Sequence, residues 1–321
     1  MKKLLYIILA GLAAAFCACG DSDEAFDLTA SQRMDKAVER YRFALLASER
    51  WVMEYFPDEE LNYGGWVYVI EFHADNTLKA WFEGSTFITG TPPVTESNYA
   101  VEFSTGPMLK FTTHNDFLHF FSFPGANGAG YEGYKGDYEF TIMEMSPAFD
   151  EIIMRGIKTG NRIRLTPLSG EYTPESYIET VRADQQSVKR TKFRVTANGE
   201  EVATIERANA IYPGSFTQYA ASKIWTISYA YDEPLCDIAG NPMLDGNGER
   251  MYETIEVNDR ISVINLPGNV MQIYEPYAFR GDVIPMLKGQ TMRTFQWQLG
   301  ATSSSDCFVC TDSFFDFKLI P

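Results

Sequence analysis

The chain has 321 residues, 14% of them aromatic, and carries a formal net charge of −16 at pH 7. This acidic balance, together with the lack of any basic stripe in the sequence, excludes a nucleic-acid-binding role, because a phosphate backbone requires clustered lysine and arginine. The length suits two domains of about 150 residues, each large enough to bury its own core.

The N-terminal segment is typical of a secretory signal that ends at a lipid-modified cysteine. An apolar run from Leu4 to Phe16 follows two lysines, and Cys19 comes directly after the small residue Ala18. We predict that residues 1–18 are removed as a signal peptide and that Cys19 becomes the acylated first residue. A spanning helix is the alternative, but the run rises only about 20 Å, against a hydrocarbon core of ~30 Å.

An acidic segment follows this cysteine and forms a predicted tether, residues 19–28. Its sequence, Gly20-Asp21-Ser22-Asp23-Glu24, resembles the export signal that carries lipoproteins of the Bacteroidetes to the outer face of the outer membrane. A solvated charged tether without an export role is the alternative. We expect a lipid-anchored outer-membrane protein that faces the cell exterior, since two or more acyl chains hold a protein stably on a membrane.

A helix is predicted directly after the tether. Thr29 and Gln32 have the spacing of a capping box, in which each side chain accepts from a backbone amide of the other residue. Apolar residues recur at intervals of three and four from Met34 to Tyr55, which predicts one helix that ends before Pro57. Its charged opposite face favours packing against a sheet over binding a partner or a membrane.

From Gly64 the hydrophobic period changes to two, which is typical of β-strands. Turn sequences rich in glycine, proline, aspartate and asparagine separate the candidate strands. The predicted strands of the first half are 66–73, 77–84, 97–104, 108–113, 117–123, 137–145, 150–157 and 161–166. Such a meander loses its exposed edges by closing into a barrel, whose interior is either packed or holds one small ligand.

The second half repeats this order of elements. A helix is predicted from Pro174, and strands are predicted at 192–196, 201–206, 224–231, 251–257, 260–265, 270–274, 291–299 and 314–320. We therefore predict a mainly β protein with a minor α part. Its N-terminal domain covers residues 29–168 and its C-terminal domain residues 169–321, and each combines a helix with an antiparallel meander. The first meander is expected to be an eight-stranded, barrel-like sheet.

Several stretches of the sequence together resemble one family, the Bacteroidetes surface lipoproteins known by the domain of unknown function 4302. They are Trp51, Tyr55-Phe56-Pro57, Gly64-Gly65-Trp66-Val67-Tyr68, Ser97-Asn98-Tyr99, Leu109 to Asn115, Leu118 to Phe121 and Gly136 to Phe140. The resemblance implies a lipoprotein encoded beside nutrient-uptake systems, with a TonB-dependent transporter and a starch-utilisation-type lipoprotein as partners. It brings no catalytic residue, and His114 stands where the family pattern predicts an aromatic residue.

A carboxylate pair raises the alternative of a surface hydrolase. Asp137 and Glu139 would share one face of a strand, and paired carboxylates can act as acid and base in glycoside cleavage. The alternation of acidic and aromatic residues from 137 to 140 favours the structural interpretation, in which both carboxylates face solvent while Tyr138 and Phe140 lie in the core.

A metal held by histidines is the second route to a hydrolase. His114 and His119 would lie on opposite faces of one continuous strand, whereas a turn at Asn115 and Asp116 would bring them together. Their spacing does not match a helical metal site, and no serine nucleophile motif accompanies them. Hydrogen-bonded structural histidines are therefore the favoured interpretation.

Two loops are candidate ligand sites. Asp245, Asn247 and Glu249 resemble the start of a calcium-binding loop, although ordinary hairpin turns have the same composition. Tyr131 and Tyr134 lie in the glycine-rich stretch 125–136 and are predicted to be exposed. There they would offer a platform on which a sugar ring can stack.

Three cysteines remain once Cys19 carries lipid: Cys236, Cys307 and Cys310. The last two form a Cys-x-x-Cys motif that, if extended, spans about 10 Å, beyond the ~7 Å limit for a disulfide. A bridge between them therefore needs a turn. Free thiols, a structural bridge, a redox pair and half of a zinc site are the open interpretations.

Taken together, these features favour a non-catalytic surface lipoprotein that needs no cofactor. We expect it to bind a ligand, or to accompany a transport component, in a system that acquires a nutrient such as a glycan. The alternatives are a surface hydrolase and a structural assembly subunit, whose interface would be an exposed apolar patch instead of a pocket.

Overall fold

The computed structural model describes residues 28–104, 106–124, 133–208, 216–281, 287–302 and 305–321. Within these ranges the chain forms two closed antiparallel barrels of eight strands, β1 to β8 and β9 to β16. The prediction of a mainly β protein made of two helix-associated meanders is therefore confirmed. No helix of the described ranges has the length and apolar character needed to cross a membrane.

In the first barrel the strands follow one another around the wall in chain order. They are β1 (Trp51–Phe56), β2 (Trp66–Phe72), β3 (Thr77–Phe82), β4 (Thr95–Phe103), β5 (Pro107–Phe111), β6 (Glu139–Met145), β7 (Ile152–Gly156) and β8 (Arg162–Pro167). β8 pairs with β1, so that Trp51 stands opposite Pro167 and Phe56 opposite Arg162. This pairing closes the sheet and removes the two edges that an open meander would expose.

The interior of the first barrel is filled by its own side chains. Alternate residues of β1 point inward, and these residues, Trp51, Met53 and Tyr55, are at most 3% exposed. The rings of Tyr68 and Phe82 stack inside the barrel with their centroids 4.3 Å apart. Of the two expectations for an eight-stranded barrel, the packed interior is the one observed.

Helix α1 (Ala30–Leu46) packs against β4 and β5 of this barrel. Its capping box is present as predicted: the Gln32 amide donates to Thr29 Oγ1 (3.3 Å), and the Thr29 amide donates to Gln32 Oε1 (2.9 Å). At its other end, the Trp51 indole donates to the Leu45 carbonyl (2.8 Å), which holds the helix against the barrel wall.

The prediction that this helix continues to Tyr55 is wrong, because residues 51–56 are strand β1. Both faces of β1 are buried, and Val52 and Phe56 pack outward against the second half of the chain. A strand that is apolar on both faces lacks the alternating pattern. Its apolar residues therefore also fitted a helical spacing.

The predicted strand at 117–123 is also wrong, because this segment is a turn followed by a 3-10 helix, Phe120–Ser122. Asn115 Oδ1 accepts a hydrogen bond from the Phe117 amide (3.0 Å). Such local bonding between a side chain and the backbone competes with strand pairing. Phe117 and Phe121 instead enter the core at the end of the barrel.

The second barrel has the same strand order and closes between its last and first strands. Its strands are β9 (Lys192–Ala197), β10 (Glu200–Arg207), β11 (Ile224–Pro234), β12 (Tyr252–Leu266), β13 (Val270–Ala278), β14 (Thr291–Gln298), β15 (Cys307–Cys310) and β16 (Phe317–Ile320). The two strands predicted at 251–257 and 260–265 are one continuous β12, and β15 was not predicted.

Strand β15 decides between the interpretations of the Cys-x-x-Cys motif. Because the segment is extended, Cys307 and Cys310 do not form a bridge, and both are free thiols, as is Cys236. Burial raises the pKa of the Cys310 thiol to about 11, which keeps it protonated and unreactive at neutral pH.

Helix α2 (Pro174–Ser187) lies between the two barrels. It begins with a capping box between Thr173 and Ser176. Its Ile178 and Val181 form one buried cluster with residues on the outside of the first barrel and with Ile264 of β12. The outer apolar faces of β1 and β2 are thereby covered, which is why these strands are buried on both sides.

Helix α3 (Phe216–Ala221) lies in the connection between β10 and β11 but packs into the end of the first barrel. The Phe216 ring stacks on Trp66, with centroids 5.0 Å apart, and lies 4.4 Å from Tyr134. An element of the second barrel is therefore part of the core of the first.

Candidate functional site

A cavity of about 590 Å³ opens to solvent between the two barrels, and we call it the inter-barrel cavity. The turn after β3, the end of α2 with the two residues that follow it, the end of β10 and helix α3 form its walls. Its lining residues are Glu83, Thr86, Phe87, Arg182, Gln185, Gln186, Val188, Lys189, Arg207, Ala208, Gln218, Tyr219 and Ser222. Concave sites at a junction of domains, with converging polar groups, are where small-molecule ligands usually bind.

A fully buried ion pair stands at the wall of this cavity. The side chains of Glu83 and Lys223 are both 0% exposed, and Lys223 Nζ lies 2.8 Å from Glu83 Oε1. The ammonium also lies over the rings of Trp66 and Tyr219, 5.2 and 5.3 Å from their centroids, where the π-electrons favour a cation. Apart from this ion pair, neither carboxylate oxygen of Glu83 has a partner among the described residues.

Burial shifts both members of the pair towards their neutral forms. It raises the pKa of Glu83 in spite of the neighbouring ammonium, and it lowers the pKa of Lys223 in spite of the carboxylate. Opposed shifts of this kind mark functional sites and also structural ion pairs. Because Glu83 follows β3 and Lys223 precedes β11, the pair also ties the two barrels together.

Two further polar groups at the cavity are buried without a partner. Gln185 is 8% exposed, and its Nε2 donates to Ser222 Oγ (2.6 Å). Its Oε1 atom and the hydroxyl of Tyr219 have no hydrogen-bond partner among the described residues. A buried polar atom without a partner costs free energy, which a bound ligand can recover.

Arg182 is held in place by the backbone of the first barrel. Its Nε donates to the Glu83 carbonyl (2.6 Å), and its Nη2 donates to the Phe82 carbonyl (2.8 Å) and to Ser85 Oγ (2.6 Å). The guanidinium therefore has a fixed position at the cavity. These bonds also fasten α2 to the end of β3.

The glycines before β2 permit the close approach that forms the junction. Gly64 has a φ of +71°, and a Cβ atom placed on it would lie 2.2 Å from Cβ of Lys223. The Gly65 amide donates to the Val263 carbonyl of β12 (3.0 Å). The sequence Gly64-Gly65-Trp66, which carried part of the family resemblance, thus builds the contact between the barrels.

The candidate ligand-binding tyrosines do not form an exposed platform. Tyr134 is 6% exposed and packs against Phe120 and Phe216 at the end of the first barrel, so the prediction of its exposure is wrong. Tyr131 and the lipidation residue Cys19 lie outside the described residues.

The expected orientation of Asp137 and Tyr138 is also wrong, whereas Phe140 lies in the core as expected. Asp137 is 5% exposed, whereas Tyr138 is 41% exposed. Asp137 precedes β6, and its Oδ2 accepts hydrogen bonds from the amides of Lys158 and Thr159 and from the Thr159 hydroxyl (3.1, 2.8 and 3.0 Å). This carboxylate holds a turn of the barrel, while Glu139 pairs with Lys110 (2.6 Å).

The turn at Asn115 brings two histidines together, with the ring centroids of His114 and His119 5.4 Å apart. His114 Nε2 contacts Asp116 Oδ1 at 3.0 Å, and His119 packs against Tyr138. Burial lowers the pKa of His119, with a smaller contribution from His114. Within the described ranges, no group of three or more histidine, cysteine, aspartate or glutamate side chains is placed to hold a metal ion.

The candidate calcium residues lie at the tip of an arm, residues 232–253, which consists of the end of β11, the start of β12 and the segment between them. Asp245 Oδ1 accepts hydrogen bonds from the amides of Asn247 and Glu249 (2.8 and 2.9 Å). These bonds to its own loop lower the pKa of Asp245. The local geometry is that of an Asx turn, and calcium binding stays a prediction.

The residues of the inter-barrel cavity were not predicted as a site. Glu83 and Lys223 come from different barrels, and each stands next to a strand in an unremarkable sequence context. The sequence offers one signal for Glu83 and Lys223: each is a charged residue that fits neither a helical nor a strand periodicity. Their pairing depends on the contact between the barrels, which local patterns do not encode.

Comparison with known proteins gives a family match and no closer relative. The family model of the Domain of unknown function (DUF4302) matches residues 22–274, which is more than half of the chain. No curated protein and no solved structure gives a significant match. The family description assigns no catalytic activity.

Proposed function

The chain belongs to the DUF4302 family, and on that premise we propose that it is a non-catalytic, lipid-anchored protein that binds a small ligand in the inter-barrel cavity. We place it at the outer membrane, facing the exterior, as an accessory subunit of a system that acquires a nutrient such as a glycan. The support for the location is the signal and Cys19 in the sequence.

One observation carries the binding role: the inter-barrel cavity contains buried polar atoms that have no partner within the described part of the chain. A purely structural junction would satisfy these atoms or replace them by apolar groups. Both barrels and the helix between them contribute to the cavity, so a ligand there would be held by a rigid frame.

The hydrolase alternative has weaker support. The carboxylate of Asp137 is engaged by three donors of a turn and does not line the inter-barrel cavity. A general acid or base must reach the substrate from a cleft. A binding role therefore fits the geometry better than catalysis through Asp137.

Thermal unfolding of the chain from Gly20 onward, which retains every described residue, tests the binding role. We expect one member of a panel of glycans, haem and metal ions to raise the melting temperature, since a ligand that binds only the folded state stabilises it by mass action. The variant Ala208→Trp fills the cavity and should abolish this shift, whereas Ala239→Trp on the arm should retain it. If no member of the panel raises the melting temperature, or if Ala208→Trp shows an equal increase, the binding role is contradicted.

The anchoring is tested separately on the native product. Mass spectrometry should find a chain that begins at Cys19 and carries fatty acids on its sulfur and amino group. An intact N-terminus, or an unmodified Cys19, would contradict it.

We also propose that the arm contacts a neighbouring transport component, a TonB-dependent transporter or a starch-utilisation-type lipoprotein. Ile238, Leu244 and Tyr252 of the arm are 109%, 57% and 56% exposed. Several exposed apolar side chains on one arm make it a candidate interaction surface. Replacing residues 236–250 by Asn-Gly should keep the melting temperature and abolish copurification of such a component from the outer membrane; unchanged copurification would contradict this role.

A further inference from the structure

We infer that the ligand of the inter-barrel cavity is a small polyhydroxylated anion, a sugar acid or a sugar phosphate. The inference rests on the proposed function and adds the chemical class of the ligand. Three observations carry it: the local charge, the free hydrogen-bonding groups and the aromatic wall.

The charge of the cavity is opposite to that of the protein. The chain has 43 acidic residues against 27 lysines and arginines. Arg182, Lys189 and Arg207 line the cavity, and Glu83, the one acidic residue among the described lining residues, is already paired with Lys223. In an acidic protein, such a positive cavity attracts an anion.

The three cations are available to a ligand. Within the described ranges, no carboxylate oxygen lies within 4.0 Å of a side-chain nitrogen of Arg182, Lys189 or Arg207. Arg207 is half-buried and donates through Nη1 to the Val188 carbonyl (3.4 Å), which uses one of its five N–H groups. Its burial lowers its pKa, so the charged form is incompletely compensated. A carboxylate or phosphate would supply that compensation through charge-assisted hydrogen bonds.

The remaining groups match hydroxyls and one apolar face. The Oε1 of Gln185 and the Oε2 of Glu83 are buried acceptors without a hydrogen-bond partner within the described ranges, so the ligand must bring donors. Phe87 and Tyr219, with ring centroids 5.3 Å apart, form an aromatic wall beside them. A sugar ring has hydroxyl donors on its rim and an apolar face, and an acid or phosphate group completes the match to the cations.

Isothermal titration calorimetry on the full chain in detergent tests this inference. The probes are D-glucuronate, D-galacturonate, glucose 6-phosphate and inorganic phosphate, with D-glucose as the neutral counterpart. We expect at least one sugar anion to bind about tenfold or more tightly than glucose. A uronate preference identifies a sugar acid, whereas a preference for glucose 6-phosphate over inorganic phosphate identifies a sugar phosphate.

Charge variants locate the binding. Arg207→Gln should weaken the binding of the anion by about tenfold. Lys189→Glu, at an exposed position, should also weaken this binding without affecting the fold. Lys36→Gln on α1, outside the cavity, should leave the affinity for the anion unchanged. The inference is overturned if glucose binds as tightly as its acid, if no probe binds, or if both cavity variants bind like the wild type. If the wild type binds a neutral ligand and Ala208→Trp does not, the inference of an anionic ligand is overturned while the proposed binding function stands.

Discussion

At the scale of single residues, the stability of the folded chain should depend on both members of the buried pair of Glu83 and Lys223. Both side chains are 0% exposed, so removing one charge leaves the other uncompensated. We expect Lys223→Met to lower the free energy of unfolding by about 3–5 kcal/mol. Urea denaturation measures this loss.

The double variant provides the control for that prediction. Glu83→Met together with Lys223→Met removes both desolvated charges and keeps the volume, so its stability should return at least to that of the wild type. A double variant as unstable as the single one would show that the loss of stability does not come from an uncompensated buried charge, and would contradict this prediction.

His119 gives a residue-scale prediction for pH. Burial lowers its folded-state pKa below the unfolded value of 6.5, so the unfolded chain binds more protons between the two values. The stability that depends on neutral His119 is therefore fully present above pH 6.5 and is lost as the pH falls through the folded pKa. NMR titration should place the His119 midpoint below 6.5, and His119→Gln should remove this part of the pH dependence; a midpoint at or above 6.5 would contradict the burial.

Sequence patterns predicted residues whose role is local and missed those whose role depends on distant contacts. The capping box of Thr29 and Gln32 was predicted because both partners lie within one turn. The burial of Tyr134 was not predicted, because it requires Phe216 from the other half of the chain. Glu83 was missed for the same reason.

At the scale of elements, α3 is the part that joins the core of one barrel to the chain of the other. Phe216 is 8% exposed and packs among aromatic rings at the end of the first barrel. Phe216→Ala should lower the free energy of unfolding by about 3–5 kcal/mol, the usual cost of deleting a buried phenylalanine. Chemical denaturation measures it.

The matched control is Phe314→Ala, since Phe314 is 103% exposed. It should change stability by less than about 0.5 kcal/mol. Equal effects of the two substitutions would show that α3 does not contribute to the barrel core as described.

The element scale also explains which strands the sequence predicts. Strands with one solvent-facing side, such as β4 (Thr95–Phe103), alternate in burial and were predicted close to their observed bounds. β1 is buried on both faces by α2 and the barrel interior, and its pattern was read as helix. Strand bounds are predicted less accurately where the other half of the chain, instead of solvent, covers the outer face of a strand.

At the scale of the whole molecule, the free thiols predict insensitivity to redox conditions. The three cysteines of the described ranges, Cys236, Cys307 and Cys310, are unbridged, so no disulfide among them constrains the unfolded chain. The melting temperature of the chain from Gly20 onward should be the same with and without a reducing agent. A decrease on reduction would show a bridge and contradict the assignment of these three cysteines as free thiols.

The two barrels are joined by α2, by α3 and by the pair of Glu83 and Lys223, so the inter-barrel cavity exists only if they behave as one body. Differential scanning calorimetry of the chain from Gly20 onward measures this most directly. We expect a single transition in which the calorimetric and van't Hoff enthalpies agree. Two resolved transitions, one for each barrel, would contradict it.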